Sequence, residues 1–385
     1  MIETKFKNSE VGLIPEDWKA VPLSAIGEVK MCKRILKEQT DITGDVPFYK
    51  IGTFGKEADA YIPRELYEQF KGMYPYPKKG AILISAAGTI GRTVVFDGED
   101  AYFQDSNIVW IDHKEKDVVN PYLEHYFKII SWKSENGGTI SRLYNDNLKS
   151  TFLCYPEDKI EQSRIATALS DIDDLIATAK KLTEKKKNIK EGAMQELLSG
   201  KRRLPGFKEK WEEANVGSVT GKISRGQTLT SDEFCFGIIP VMAGGKQYAG
   251  YHNKANQKGR CITISGSGAS AGFVYLHKTP IFATDCSVIA ESNSFSLNFM
   301  YYLLSFKQDD LYKLQTGGAQ PHVYPRDIEA IEIIVPSTKR EQQAIAQVLS
   351  DMDSEIQSLE SQLTKYQSLK QGMMQQLLTG KIRLI

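Results

Sequence analysis

The chain has 385 residues and a mass of 43.2 kDa, with 41% hydrophobic residues, 25% charged residues and a formal net charge of +1. This composition suits two or three globular domains, each able to bury a core, and argues against a charge-driven, histone-like nucleic-acid binder, although lysines can still segregate onto one face. The five cysteines (Cys32, Cys154, Cys235, Cys261, Cys286) form no C-x-x-C pair, which argues against a disulfide framework or a zinc site. The Met1–Phe6 start carries an early acid and no apolar run reaches about eighteen residues, so a cytoplasmic protein is expected.

In chain order, the first notable segment is Gly12-Leu13-Ile14-Pro15-Glu16-Asp17-Trp18, followed by Pro47-Phe48-Tyr49-Lys50-Ile51-Gly52. An apolar β-like run, Ala81–Ile84, leads into Ser85 and Gly88; Asp105 then precedes Ile108-Val109. Asn120-Pro121 reads as an N-cap and proline at N1 of a helix beginning near Tyr122. From Pro156 to Gly200 a long amphipathic pattern without interior proline predicts one helix ending at a glycine stop. A second mixed segment follows, with Pro205-to-Trp211 echoing the opening motif, Ile239-Pro240-Val241 echoing residues 47–52, and a β-like run at Cys261–Ile264. From Pro336 to Gly380 the long helical pattern returns.

That return is a duplication. An offset of 180 positions brings Pro156 onto Pro336, Glu161-Gln162 onto Glu341-Gln342, and Ile165-Ala166 onto Ile345-Ala346. It also brings Leu169-Ser170-Asp171 onto Leu349-Ser350-Asp351, Met194-Gln195 onto Met374-Gln375, Leu197-Leu198 onto Leu377-Leu378, and Gly200-Lys201 onto Gly380-Lys381, with Arg203-Leu204 onto Arg383-Leu384. Fainter matches precede each helix: Ser85 and Gly88 with Ser265 and Gly268, Asp105 with Asp285, Gly137-Gly138 with Gly317-Gly318, and Tyr144 with Tyr324.

The apolar positions of the repeated helices step by four and three, as in a coiled-coil seam. They fall at Ile165, Leu169, Ile172, Ile176, Ile189 and Leu197 in the first, and Ile345, Leu349, Met352, Ile356, Leu363, Leu369 and Leu377 in the second. A helix of about 35 residues spans roughly 50 Å and cannot bury its own stripe, whereas two copies can bury each other. Antiparallel pairing would make a rigid spacer about 15 base pairs long; dimerisation, or packing onto the parent domains, would use the same stripe. Gly192 and Gly372, one inside each helix, suggest close approach to a neighbour.

Both mixed segments interleave cations with amides, hydroxyls and glycine turns. Lys33, Arg34, Lys50, Thr89, Arg92, Asn107, Arg142 and Asn145 in the first, and Arg225, Lys246, Gln247, Ser267, Ser270, His322 and Arg326 in the second, are candidates for contacting DNA. Lysine and arginine suit phosphates, while Arg, Gln and Asn can read base edges in pairs of hydrogen bonds.

Catalytic motifs find no support. Gly266-x-Gly268-x-x-x-Gly272 misses the dinucleotide-loop spacing and reads as a tight turn. Asn120-Pro121-Tyr122 lacks the second proline of an adenine methyltransferase motif. Pro156-Glu157-Asp158-Lys159 has a counterpart, Pro336-Ser337-Thr338-Lys339, without either acid, so both read as helix starts. A fused nuclease or methyltransferase, or a scaffold binding only proteins, are the alternative classes.

The repeated helical motifs, together with the Gly12–Trp18 opening, resemble the specificity (S) subunit of type I restriction–modification systems over nearly the whole chain. The resemblance implies an α+β protein: two mixed α/β target-recognition domains separated by two long antiparallel helices forming a coiled-coil spacer, with an internal pseudo-twofold repeat. Residues 1–153 and 205–335 would be the readers, and 154–204 and 336–385 the spacer. It implies a non-catalytic subunit that reads a bipartite double-stranded DNA target and docks DNA methyltransferase (modification) and restriction/translocase subunits. S-adenosylmethionine, ATP and Mg would belong to those partners, with no cofactor or metal on this chain.

Overall fold

The computed structural model describes residues 4–132, 142–229 and 237–385. Gly137-Gly138 and Cys235 lie outside the described residues. The chain divides into two compact units, residues 1–178 with 363–385, and residues 179–362.

The first unit is built on a four-stranded antiparallel sheet in the order Glu28–Lys30, Ile108–Asp112, Ile82–Ser85, Thr93–Val95. Strand residues alternate between faces. Ile82, Ile84, Val109 and Ile111 therefore join Trp18, Tyr122, Leu153, Ile165 and Leu169 in one core, while Leu83, Ile108 and Trp110 face a second core with Phe48, Tyr67 and Tyr102. A smaller sheet carries Val46–Tyr49 between Tyr61–Ile62 and the parallel strand Tyr102–Phe103. Strand Trp18–Pro22 pairs with Phe152–Pro156, which leads into the first long helix, Lys159–Leu198.

The second unit repeats this plan. Its sheet runs Ser224–Arg225, Cys286–Ala290, Cys261–Ser265, Val274–His277. Ile239–Met242 lies between Gly250–His252 and the parallel Phe282–Ala283, and Trp211–Asn215 pairs with Glu332–Pro336 ahead of the second long helix, Lys339–Leu377.

Two structural findings amend the sequence-based alignment. In the first unit Ser85 pairs with Ile108, but in the second Ser265 pairs with Cys286, so the ladder corresponds at an offset of 178. Both flanking parallel strands keep the offset of 180, since Tyr102 corresponds to Phe282 and Phe103 to Ala283. The first unit therefore has two extra residues in the link after Phe103, and Asp285 stands where Asn107 stands, not where Asp105 stands. The backbone agrees: Ala86 N donates to Asn107 O at 2.8 Å, and Gly266 N to Asp285 O at 3.0 Å. The helix near Tyr122 also starts earlier than expected, spanning Asn120–Phe127 with Val119 at the N-cap, and the Asn120 side chain bonds His113 instead.

The long helices begin as side-chain-capped starts: Asp158 Oδ1 accepts from Ile160 N, and Thr338 Oγ1 from Glu341 N. Within the first unit, Ile165, Leu169, Ile172, Ile176 and Leu377 are buried and Leu363 is half-buried; within the second, Leu197, Ile345, Leu349 and Ile356 are buried and Met352 is half-buried. Ile189 departs from the expected seam, being 46% exposed, as does Leu369. Lys190 and Lys370 point inward in their place. Lys190 bonds Asp353, which also accepts from Tyr302, and Lys370 bonds Asp173. The lysine stems cover apolar surface while the ammonium reaches a carboxylate on the opposing helix segment. In the second unit Lys186 pairs with Glu355 and Lys190 with Asp353, and in the first Lys370 pairs with Asp173 and Arg383 with Glu161, so within each unit the two segments are antiparallel. Gly192 and Gly372 do not mark close approach, because an added Cβ would meet nothing within 4 Å at either.

A repeated clasp closes each helix pair. Arg203 donates through Nε and Nη2 to both oxygens of Glu341 (2.6 and 2.8 Å), and Trp211 Nε1 adds a third bond at 3.2 Å. Arg383 does the same to Glu161 (2.6 and 2.7 Å) and also holds Asp17, whose carboxyl it keeps below the usual range.

Candidate nucleic-acid interface

In the first unit a tight turn joins Ile82–Ser85 to Thr93–Val95. Gly88 takes φ +66°, a left-handed conformation that glycine adopts without steric cost. The Ser85 hydroxyl sits inside the turn, donating to Thr89 O and accepting from Arg92 N. Residues 86 and 87 are then stitched to the segment at 142–143: Leu143 N donates to Ala86 O at 2.8 Å, and Ala87 bridges Arg142. Arg142 Nη2 donates to Asn107 Oδ1 at 3.2 Å, tying that segment to the link after Phe103. In the same link Gln104 Oε1 accepts from Ile51 N, which seats the Lys50 turn beside it, and Asp105 Oδ2 accepts from Arg34 Nε at 2.9 Å.

The structure thus gathers Arg34, Lys50, Thr89, Arg92, Asn107 and Arg142 around one set of loops. Lys50 is paired with Asp59, and Arg92 Nη2 donates to Gly55 O. Lys33 stands apart over the Tyr74 ring, 5.1 Å from its centroid, and Asn145 is exposed at the start of the helix Asn145–Ser150.

The second unit builds the same scaffold with other side chains. Gly268, at φ +77°, turns the chain between Cys261–Ser265 and Val274–His277. Val323 N donates to Gly266 O, and Ser267 bridges His322, just as Ala87 bridges Arg142. His322 stacks on Tyr324 with centroids 6.2 Å apart, and Arg326 lies over the same ring at 5.7 Å. Lys246 lies 5.3 Å from the Phe273 centroid, and Gln247 beside it is exposed. Arg225 approaches Asp285 at 3.8 Å. Two candidates serve the fold: the Ser267 hydroxyl is buried on Asp285, and Ser270 O holds the turn by accepting from Phe273 N.

Sequence reasoning did not assign a role to the carboxylates Asp105 and Asp285, or to Gln104, which position the loops. The recurring Asp–apolar pattern was the available signal, blurred by the two-residue shift. Behind the loops, burial pushes the Cys32 and Cys286 thiols up to about 12, so they pack as apolar groups. What the loops present is a set of guanidinium, ammonium, amide, imidazole and hydroxyl groups on a rigid frame. That is recognition chemistry, suited to acceptors on a partner surface.

Two copies of one α/β module, each presenting such a loop set and each built into long paired helices, define a duplicated recognition protein. The family model described as the type I restriction modification DNA specificity domain matches residues 15–188 and again 208–369, and the chain belongs to that family. It is therefore a specificity subunit, the DNA-recognition and non-catalytic component of a type I restriction–modification complex. A putative type I restriction enzyme specificity subunit of Haemophilus influenzae is 59% identical over 162 residues, 42% of each chain. The putative type I restriction enzyme MjaX specificity subunit of Methanocaldococcus jannaschii is 26% identical over 99% of this chain and 97% of its own. The fold matches a crystal structure of the S subunit of a type I system from M. genitalium, with a TM-score of 0.67 at 17% identity, over 98% of this chain and 99% of that one. Among the described residues no helix is long and apolar enough to cross a membrane.

Proposed function

We propose that residues 1–153 and 205–335 each read one half of a split DNA target, and that the two halves differ in sequence. One observation carries this reading: corresponding loop scaffolds hold different chemistry in each unit. Arg142 in the first is His322 in the second, each bridged to the corresponding glycine-turn residue, and Asn107 is replaced by Asp285. An amide offers a donor and an acceptor, whereas a carboxylate only accepts, and a guanidinium differs from an imidazole, so the two loop sets present different donor and acceptor patterns.

Phosphate contacts from the flanking lysines would set register, with base contacts made in the major groove. The long helices would fix an unread gap between the halves. Methyltransferase subunits would dock on the helices and modify one adenine per half after flipping it from the stack, with restriction/translocase subunits completing the complex. S-adenosylmethionine, ATP and Mg act on those partners, and the assembly works in the cytoplasm. Exchanging residues 205–335 for those of a relative, within the full complex, is expected to change one half of the methylated motif and leave the other half intact. Loss or alteration of both halves would contradict independent reading.

A further inference from the structure

The two extra residues in the first unit are Asp105 and Ser106, which lie between Gln104 and Asn107 in the link where the register shifts. They fold into a one-turn bulge in which Asn107 N donates to Asp105 O and Ile108 N to Gln104 O. Ser106 is held at φ +59°, a conformation unfavourable for any residue with a side chain. Such strain persists where the surrounding structure over-determines it, and it clusters at functional positions. The bulge turns the Asp105 carboxylate toward Arg34: Oδ2 accepts from Ser106 Oγ at 3.2 Å and from Arg34 Nε at 2.9 Å.

An exposed ion pair adds little to stability, so the fold gains almost nothing from gripping Arg34. What the grip does is orient it. The Asp105 side chain is 16% exposed and forms a fixed base, while Arg34 is 66% exposed. With Nε taken, the guanidinium plane is set and its two terminal amines form an outward fork. Among the described residues neither amine has a hydrogen-bond partner in the protein. The other cations of this loop set are committed differently: Arg92 and Arg142 each use an Nη2 internally, and Lys50 is paired with Asp59.

We infer that Arg34, oriented by Asp105, is a specificity-determining residue that reads a guanine in the half-site of the first unit. Guanine presents two acceptors, N7 and O6, side by side in the major groove, matching a two-donor fork. Adenine places a donor at the second position and opposes it. Asp105 is a positioning residue that acts through Arg34. This inference rests on the DNA-reading role proposed above.

The test uses the full chain with its methyltransferase subunits. The half-site that changes when residues 1–153 are exchanged identifies the relevant bases in the methylated motif. Duplexes carrying that motif are then made with 7-deazaguanine, which lacks the N7 acceptor, at one guanine at a time. At one position the wild type is expected to lose part of the roughly 5- to 150-fold in affinity that one bidentate contact contributes, since O6 remains. Arg34→Ala is expected to bind the unmodified duplex weakly by a similar factor and to show no further loss at that position. Arg34→Lys keeps the charge without the fork and is expected to lose the same discrimination. Asp105→Asn is expected to lose part of it while affinity for unrelated DNA stays unchanged. A first half-site with no guanine on either strand would overturn the inference, as would an Arg34→Ala variant that retains the full penalty at every guanine. In either case sequence-selective binding by the wild type leaves the proposed function standing. A wild-type complex unable to distinguish the motif from a scrambled duplex would overturn both.

Discussion

Arg203→Ala should destabilise the second unit far more than its half-exposed surface position suggests. Glu341 is fully buried and its three bonds are the fork from Arg203 and the single indole donor of Trp211. Removing the arginine leaves a buried carboxylate with one neutral donor, and breaking a buried pair from one side costs about 3–5 kcal/mol. For a unit of this size each kcal/mol moves the midpoint by about 2–4 °C, so a fall of about 6–20 °C is expected. Because the two units need not unfold together, the assay should follow the second unit by Trp211 fluorescence during thermal and urea unfolding. Replacing both partners, Arg203→Met with Glu341→Met, removes the uncompensated charge and should recover most of the loss. A shift below about 1 kcal/mol for Arg203→Ala, the level of an exposed pair, would refute the clasp as a structural determinant. So would a double variant no better than the single one.

Two further outcomes follow from the interior of each unit. Burial holds His125, bonded to Ser170, and His277, bonded to Thr263, at pKa values of about 4 against 6.5 in an ordinary environment. Between pH 6.5 and 4 the unfolded chain binds protons that the folded chain refuses, so stability is present above pH 6.5 and falls as pH drops through that window. At pH 5 the loss is about 2 kcal/mol per histidine; urea unfolding at pH 7.5 and 5.0 should show a smaller pH-dependent loss in His125→Gln and His277→Gln, and equal losses would contradict the assignment. Gly192→Ala and Gly372→Ala should each raise stability by about 1 kcal/mol, since both lie mid-helix with open space at Cβ; a lowered midpoint would reveal a neighbour at that face.

Much of the fold was legible because duplication repeats its own constraints. Glu161 and Arg383 recur as Glu341 and Arg203 because each pair closes a helix clasp, and Gln162 and Gln342 recur because each side chain caps backbone, Gln162 at Val119 N and Gln342 at Ser296 N. The seam failed at Ile189 because hydrophobicity favours isoleucine over the adjacent Lys190. Tertiary context reverses that choice, since the facing segment supplies Asp353 and Tyr302. The shift from Asp105 to Asp285 was hidden because identical letters align at an offset of 180, while the ladder is set by hydrogen bonds across the turn. At the loops, residue type identified Arg34 and Arg142 as donors, but which amines remain outward depends on Asp105 and Asn107, and no single-residue propensity carries that information.

The central claim is that this chain decides where methylation falls. Its most direct test is to express the cognate methyltransferase with and without this chain and to map methylated adenines across a host genome. The expected result is a split motif with two unlike halves at a constant gap, present only when the chain is present. Continuous motifs, or a methylation pattern indifferent to the chain, would contradict the account.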